Sequence, residues 1–83
     1  REFRTRYYYI ITEEEADSTS DIVIDLPEQI SDYRLLLVIF KKGKLNYWDH
    51  YRISDDGWVL TIIHKYVHFD PGDILELYVY GWK

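Results

Sequence analysis

The sequence predicts an all-β fold: a small antiparallel β-sandwich of about six or seven strands, or a barrel-like variant of one. Three observations lead there. Short runs of β-formers recur every eight to twelve residues or so, with Gly, Pro and Asp turns between them. No segment holds a 3.6-residue period over about ten residues, as an amphipathic helix would. Aromatic content is 18%, with nine tyrosines and three tryptophans, rings that pack well on a pleated surface. Eighty-three residues make one domain, residues 1–83, with no linker or internal repeat. A chain of this size buries roughly 60–65% of its unfolded surface, which leaves modest stability and makes help from neighbours or subunits unsurprising.

The elements follow in order. Residues 3–12 alternate: Phe3, Thr5, Tyr7, Tyr9 and Ile11 share one parity, and Arg4, Arg6 and Tyr8 the other. Residues 13–20 are acidic and small, which predicts a solvated loop. Between residues 13 and 32 there are eight acids and no base. Within that stretch Ile22, Ile24 and Leu26 alternate as a second strand, ended by Pro27, which lacks a ladder donor. Residues 28–33 read as a polar connection with room for one helical turn. Residues 34–40 are apolar on both parities, the pattern of a central strand covered on both faces. Lys41-Lys42-Gly43-Lys44 supplies a turn, with Gly43 free to take positive φ. Residues 45–53 form an irregular strand or wide loop. Asp56-Gly57 marks a hairpin leading to a strand over residues 58–63, and Asp70-Pro71-Gly72-Asp73 a further turn. The last strand, residues 74–80, sets Leu75, Leu77 and Val79 against Ile74, Glu76, Tyr78 and Tyr80.

Charge and composition exclude several classes. Ten Lys and Arg stand against fifteen Asp and Glu, a net charge of −5. That balance disfavours a nucleic-acid partner, which requires a cationic face, and an anionic membrane surface. With no cysteine, disulfides and thiolate zinc sites are impossible. The longest apolar run, residues 35–40, is too short to cross a bilayer, and no stretch reads as a signal peptide. Methionine is absent, at position 1 and elsewhere, which suggests a processed product or a piece of a longer chain.

No constellation supports catalysis, a cofactor or a metal. His64 and His68 are spaced i, i+4, but a strand would hold them roughly 13 Å apart. His50 beside Asp49 could be a base and its orienter, yet neighbours on a strand point to opposite faces. Glu13, Glu14, Glu15 and Asp17 lack the ligand rhythm and glycine of a calcium loop. Lys41, Lys42 and Lys44 near Tyr47 and Trp48 resemble a small nucleic-acid patch, but more simply a solubilising turn. The aromatics allow three uses: core, protein interface and glycan face. Tyr78, Tyr80 and Trp82 are the candidate interface. Trp48 and Tyr51, with Asp49 near them, are the candidate sugar-stacking row.

The order of motifs in the second half resembles a small β-module of bacteriophage tail-fibre and virion-appendage proteins. Leu36-Leu37-Val38-Ile39-Phe40 matches its first strand and Lys42-Gly43 its turn. Asp49-His50-Tyr51-Arg52-Ile53 sits where the family carries Asp-Tyr-x-Val or -Ile. Asp56-Gly57, Val59-Leu60-Thr61-Ile62, Pro71-Gly72-Asp73 and the closing strand from Ile74 to Tyr80 complete the run. The likeness covers residues 35–80, and Ile22-Val23-Ile24-Asp25-Leu26-Pro27 falls where such modules carry an earlier strand. Lys42 replaces the usual Asn, His50 separates Asp49 from Tyr51, and residues 64–69 lengthen the approach to the last turn. The resemblance implies a rigid structural block of the virion without active site or cofactor. Its partners would be other virion proteins or further copies of itself. A glycan-binding module is the rival reading.

Overall fold

The computed structural model describes residues 2–81. Trp82 lies outside the described residues, as do the Phe3 and Arg4 side chains. The fold is all-β and sandwich-like: seven strands form two antiparallel sheets, with open edges rather than the closed circuit of a barrel. The strands are β1 (Glu2–Ile10), β2 (Ile22–Asp25), β3 (Leu36–Phe40), β4 (Gly43–Lys44), β5 (Tyr51–Ile53), β6 (Val59–Ile62) and β7 (Ile74–Gly81). One sheet has the order β1-β7-β3-β4 and the other β2-β6-β5.

Period-two alternation fixes the inner faces. Leu75, Leu77 and Val79 of β7 are buried, as are Ile22 and Ile24 of β2 and Leu60 and Ile62 of β6. With Leu36 and Val38 of β3 they form one core between the sheets. Phe69, on the approach to β7, closes it, its ring 4.7 Å from that of Phe40. In β1, Tyr7 and Tyr9 point inward, where their hydroxyls donate to Glu28 and Glu15, so β1 lies beside the β2 edge.

Three local expectations are corrected. Residues 13–17 are not a loop but a short helix, α1 (Glu13–Asp17). Thr12 caps it: its hydroxyl accepts the Glu15 N–H at 3.1 Å, and the Glu15 carboxylate accepts the Thr12 N–H at 2.9 Å. In the β3–β4 turn Gly43 does not take positive φ. Lys41 (φ 50) and Lys42 (φ 66) do, as the central pair of a two-residue hairpin closed by Phe40 opposite Gly43. Finally, β3 is covered on one face only. Leu37 and Ile39 are half-buried on the outer face of the four-stranded sheet, over which no second layer lies among the described residues.

The other turns behave as their residues require. Asp56 accepts from the Ser54 hydroxyl (2.6 Å) and the Trp58 N–H (3.1 Å), and Gly57 takes φ +80. Pro71-Gly72 occupies the centre of a turn in which Gly72 has φ +87 and the Asp73 carboxylate accepts the Asp70 N–H at 2.8 Å. The polar connection after β2 contains a 3₁₀ turn, Tyr33–Leu35, capped by Asp32.

Candidate functional site

Two surfaces stand out. The first is the outer face of the four-stranded sheet. Cross-strand register sets Arg6 opposite Tyr78, Tyr8 opposite Glu76, and Ile10 opposite Ile74. On the other side of β7, Leu37 pairs with Tyr78 and Ile39 with Glu76. The result is an apolar and aromatic face with Glu76 at its centre and Arg6 beside Tyr78: Tyr8 is 56%, Ile10 61% and Ile74 48% exposed. Arg6 lies between two rings, its guanidinium carbon 5.3 Å from the centre of Tyr8 and 5.7 Å from that of Tyr78. It also donates to the Tyr78 hydroxyl at 3.4 Å, and this bond together with the phenol neighbours raises its pKa. Tyr78 donates in turn to Glu76 at 2.8 Å. The two tyrosines expected at an interface, Tyr78 and Tyr80, therefore share this face, both half-buried.

Tyr8, Ile10, Ile74, Leu37 and Ile39 belong to the same face and were not singled out by sequence reasoning. The signal existed: Tyr8 lies on the outward parity of β1, and the second parity of β3 is apolar without a layer of its own to meet.

The second surface is the edge formed by β4, β5 and the loop between them. Tyr33 and Tyr47 stack with centroids 4.2 Å apart and planes at 18°. Tyr47 meets Tyr51 edge-on at 5.6 Å and Trp48 at 5.3 Å. An open groove of about 590 Å³ runs here, lined among others by Tyr33, Arg34, Lys44, Tyr47 and Tyr80. Arg34 is clasped by Asp32, Nη2 to Oδ2 at 2.7 Å. Trp48 is 62% exposed, has φ 74, and carries the Arg52 guanidinium 5.0 Å above its ring.

The sugar-stacking row does not assemble. Trp48 and Asp49 are exposed, but Tyr51 is 3% exposed, with its ring in the core and no face left for a sugar. The reason is register. Tyr51 pairs with Ile62, whose side chain points inward, so the tyrosine does too. Burial pushes its hydroxyl pKa up to about 12, with Tyr47 and Tyr33 adding to the effect.

The histidines are distributed singly. His50 Nδ1 accepts the Asn46 backbone N–H at 2.9 Å and so organises the β4–β5 loop. The His64 backbone N–H donates to Asp21 at 3.0 Å, and His68 lies 3.3 Å from Asp70 on the surface. Among the described residues no three His, Asp or Glu side chains gather into a group that could hold a metal ion. No helix among them is long and apolar enough to cross a membrane. Comparison with protein-family models, with curated proteins and with solved structures finds no match in any of the three.

Proposed function

We propose that the chain is a non-catalytic structural module of a bacteriophage virion appendage, working by packing against neighbouring subunits. The observation that carries this reading is the outer face of the four-stranded sheet. A strand apolar on both parities belongs beneath two layers, and among the described residues β3 has one. Leu37 and Ile39 with Tyr8, Ile10, Ile74 and Tyr78 make the surface on which a second layer from another subunit would rest. Rigid aromatic rings lose little side-chain entropy on docking, which suits them to this use. The order of turns and strands over residues 35–80 supports the virion assignment.

The test is the solution mass of the chain, by light scattering after size exclusion, with and without Tyr8→Glu. A concentration-dependent oligomer that Tyr8→Glu reduces to monomer is the expected result. A wild-type chain that stays monomeric at high concentration, alone and with its appendage partners, would refute it.

A second reading, glycan binding, is favoured by Trp48 alone: an exposed indole held in left-handed backbone, a conformation that persists where the surroundings demand it. Glycan-array binding that Trp48→Ala abolishes would establish it, and an array without signal would remove it.

A further inference from the structure

We propose that the lysine-bearing β4–β5 edge of this domain docks onto the acidic α1–β2 edge of a second copy of the same chain. The contact would be head to tail. The proposal rests on the reading of the chain as a subunit-packing module, and it names the partner and a second surface.

The argument begins with the distribution of charge. Residues 13–32 hold eight acids and no base, whereas residues 36–53 hold four cations, Lys41, Lys42, Lys44 and Arg52, and one acid, Asp49. Topology carries these stretches to opposite sides. β1 and β2 terminate the two sheets at one side, joined by α1, while β4 and β5 terminate them at the other. Glu13, Glu14, Asp17 and Asp25 are exposed on the first side, and Lys41, Lys42, Lys44 and Arg52 on the second. Neither Lys42 nor Lys44 has an ion-pair partner among the described residues, and neither does Glu13, Glu14, Asp17 or Asp25. A chain of net charge −5 has thus placed three exposed lysines on the side opposite its densest acids, while a further exposed lysine, Lys65, follows β6 beside His64.

The backbone points to the same edge. The non-glycine residues with positive φ among those described are Lys41, Lys42 and Trp48, all within this segment. At Lys41 and Lys42 this is what a two-residue hairpin requires, and it holds both lysines at the tip of a tight turn. Lys44 itself lines the tyrosine-lined groove, where the charge of Arg34 is already met by Asp32 and that of Lys44 faces the opening. The groove offers a recess for acidic side chains presented by α1 of the next copy. Because the two surfaces differ, the contact is heterologous. It propagates into a ring if the rotation closes and into a filament if it does not.

The experiment is sedimentation of the chain at about 0.01 M and about 1 M salt, where the screening length falls from roughly 30 Å to roughly 3 Å. Self-association should weaken by about tenfold or more at the higher salt. Two charge-reversed chains, Lys42→Glu/Lys44→Glu and Glu13→Lys/Glu14→Lys, should each lose association alone and recover it when mixed. Lys42→Gln/Lys44→Gln, which removes charge without reversing it, should weaken association to an intermediate degree. Circular dichroism confirms that each variant is folded.

Three results would overturn the proposal. One is a wild-type chain that does not associate at low salt. The second is a mixture of the reversed chains that fails to recover association. The third is binding of a heparin oligosaccharide to a chain that stays monomeric, which would assign the edge to a polyanion. Association that is insensitive to salt and to these variants, yet lost in Tyr8→Glu, would sink this contact and leave the sheet-face reading standing.

Discussion

Gly57→Ala should be among the most damaging single substitutions in this chain, and its size can be worked from the structure. Gly57 has φ +80, where an L residue is disfavoured by about 1–2 kcal/mol. A Cβ there would stand 2.3 Å from the Ile30 carbonyl oxygen and 3.0 Å from its carbon. Both are backbone atoms, so no rotamer change relieves the overlap. The segment over residues 26–30 is held to this turn by several bonds. The Ile30 N–H donates to the Gly57 carbonyl at 2.8 Å, Leu26 to Trp58 at 2.8 Å, and the Gln29 amide to Asp56 at 2.8 Å. Moving it forfeits at least one bond, about 1 kcal/mol net, and loosens Ile30 from the core. The total is about 3–5 kcal/mol, against about 4–12 kcal/mol of stability for a domain of this length. Gly72→Ala is the matched control. Its φ is +87, but a Cβ there meets nothing within 4 Å, so only the same conformational cost of about 1–2 kcal/mol remains. Urea unfolding followed by tryptophan fluorescence measures both. If the two alanines lowered the midpoint equally, the close approach to Ile30 would not be what demands glycine at position 57.

Further outcomes follow from other turns and buried groups. Lys41→Asn/Lys42→Gly places the residues preferred in a two-residue hairpin where φ is already positive. It should stabilise by about 1 kcal/mol, raising Tm by about 4–8 °C in a thermal melt. Burial and the Glu15 bond push the Tyr9 hydroxyl up to about 12, and burial first of all does the same to Tyr51. The unfolded chain ionises both near pH 10, so stability is whole below that value and falls as pH rises toward about 12. Tyr51→Phe should flatten that decline in urea midpoints, and an unchanged slope would contradict it. Burial alone would raise the Glu15 pKa, but the bonds from the Thr12 N–H and the Tyr9 hydroxyl outweigh it and leave it lowered. Its contribution is therefore present above the ordinary carboxylate range and lost in acid. Glu15→Gln should cost less than about 1 kcal/mol at neutral pH and nothing near about pH 2, by denaturation at the two values.

How legible the candidate surfaces were in the sequence depends on the range of the forces that set them. Tyr78 and Tyr80 were readable because alternation along β7 is local: once Leu75, Leu77 and Val79 face the core, the residues between them cannot. Tyr51 was misplaced for the complementary reason. A three-residue strand carries too short a pattern to reveal its inward parity, which is set by pairing with Ile62. The helix α1 was missed although its signature, Thr12-x-x-Glu15, stands in the sequence. Five residues are too few for a 3.6-residue period, so the cap was the only signal available.

What the sequence determined by itself was the all-β class, the alternating faces of β1, β2 and β7, and the Asp56-Gly57 and Pro71-Gly72 turns. Each follows from steric and hydrogen-bonding rules acting within a few residues. Only the tertiary structure decided the strand orders, the positive φ of Lys41 and Lys42 in place of Gly43, and which face of β3 goes uncovered. It alone set the acidic and the lysine-bearing strands at opposite edges of the two sheets. Those features depend on which distant strand supplies the neighbouring hydrogen bonds. Pairing of that kind is chosen by the packing of the whole core.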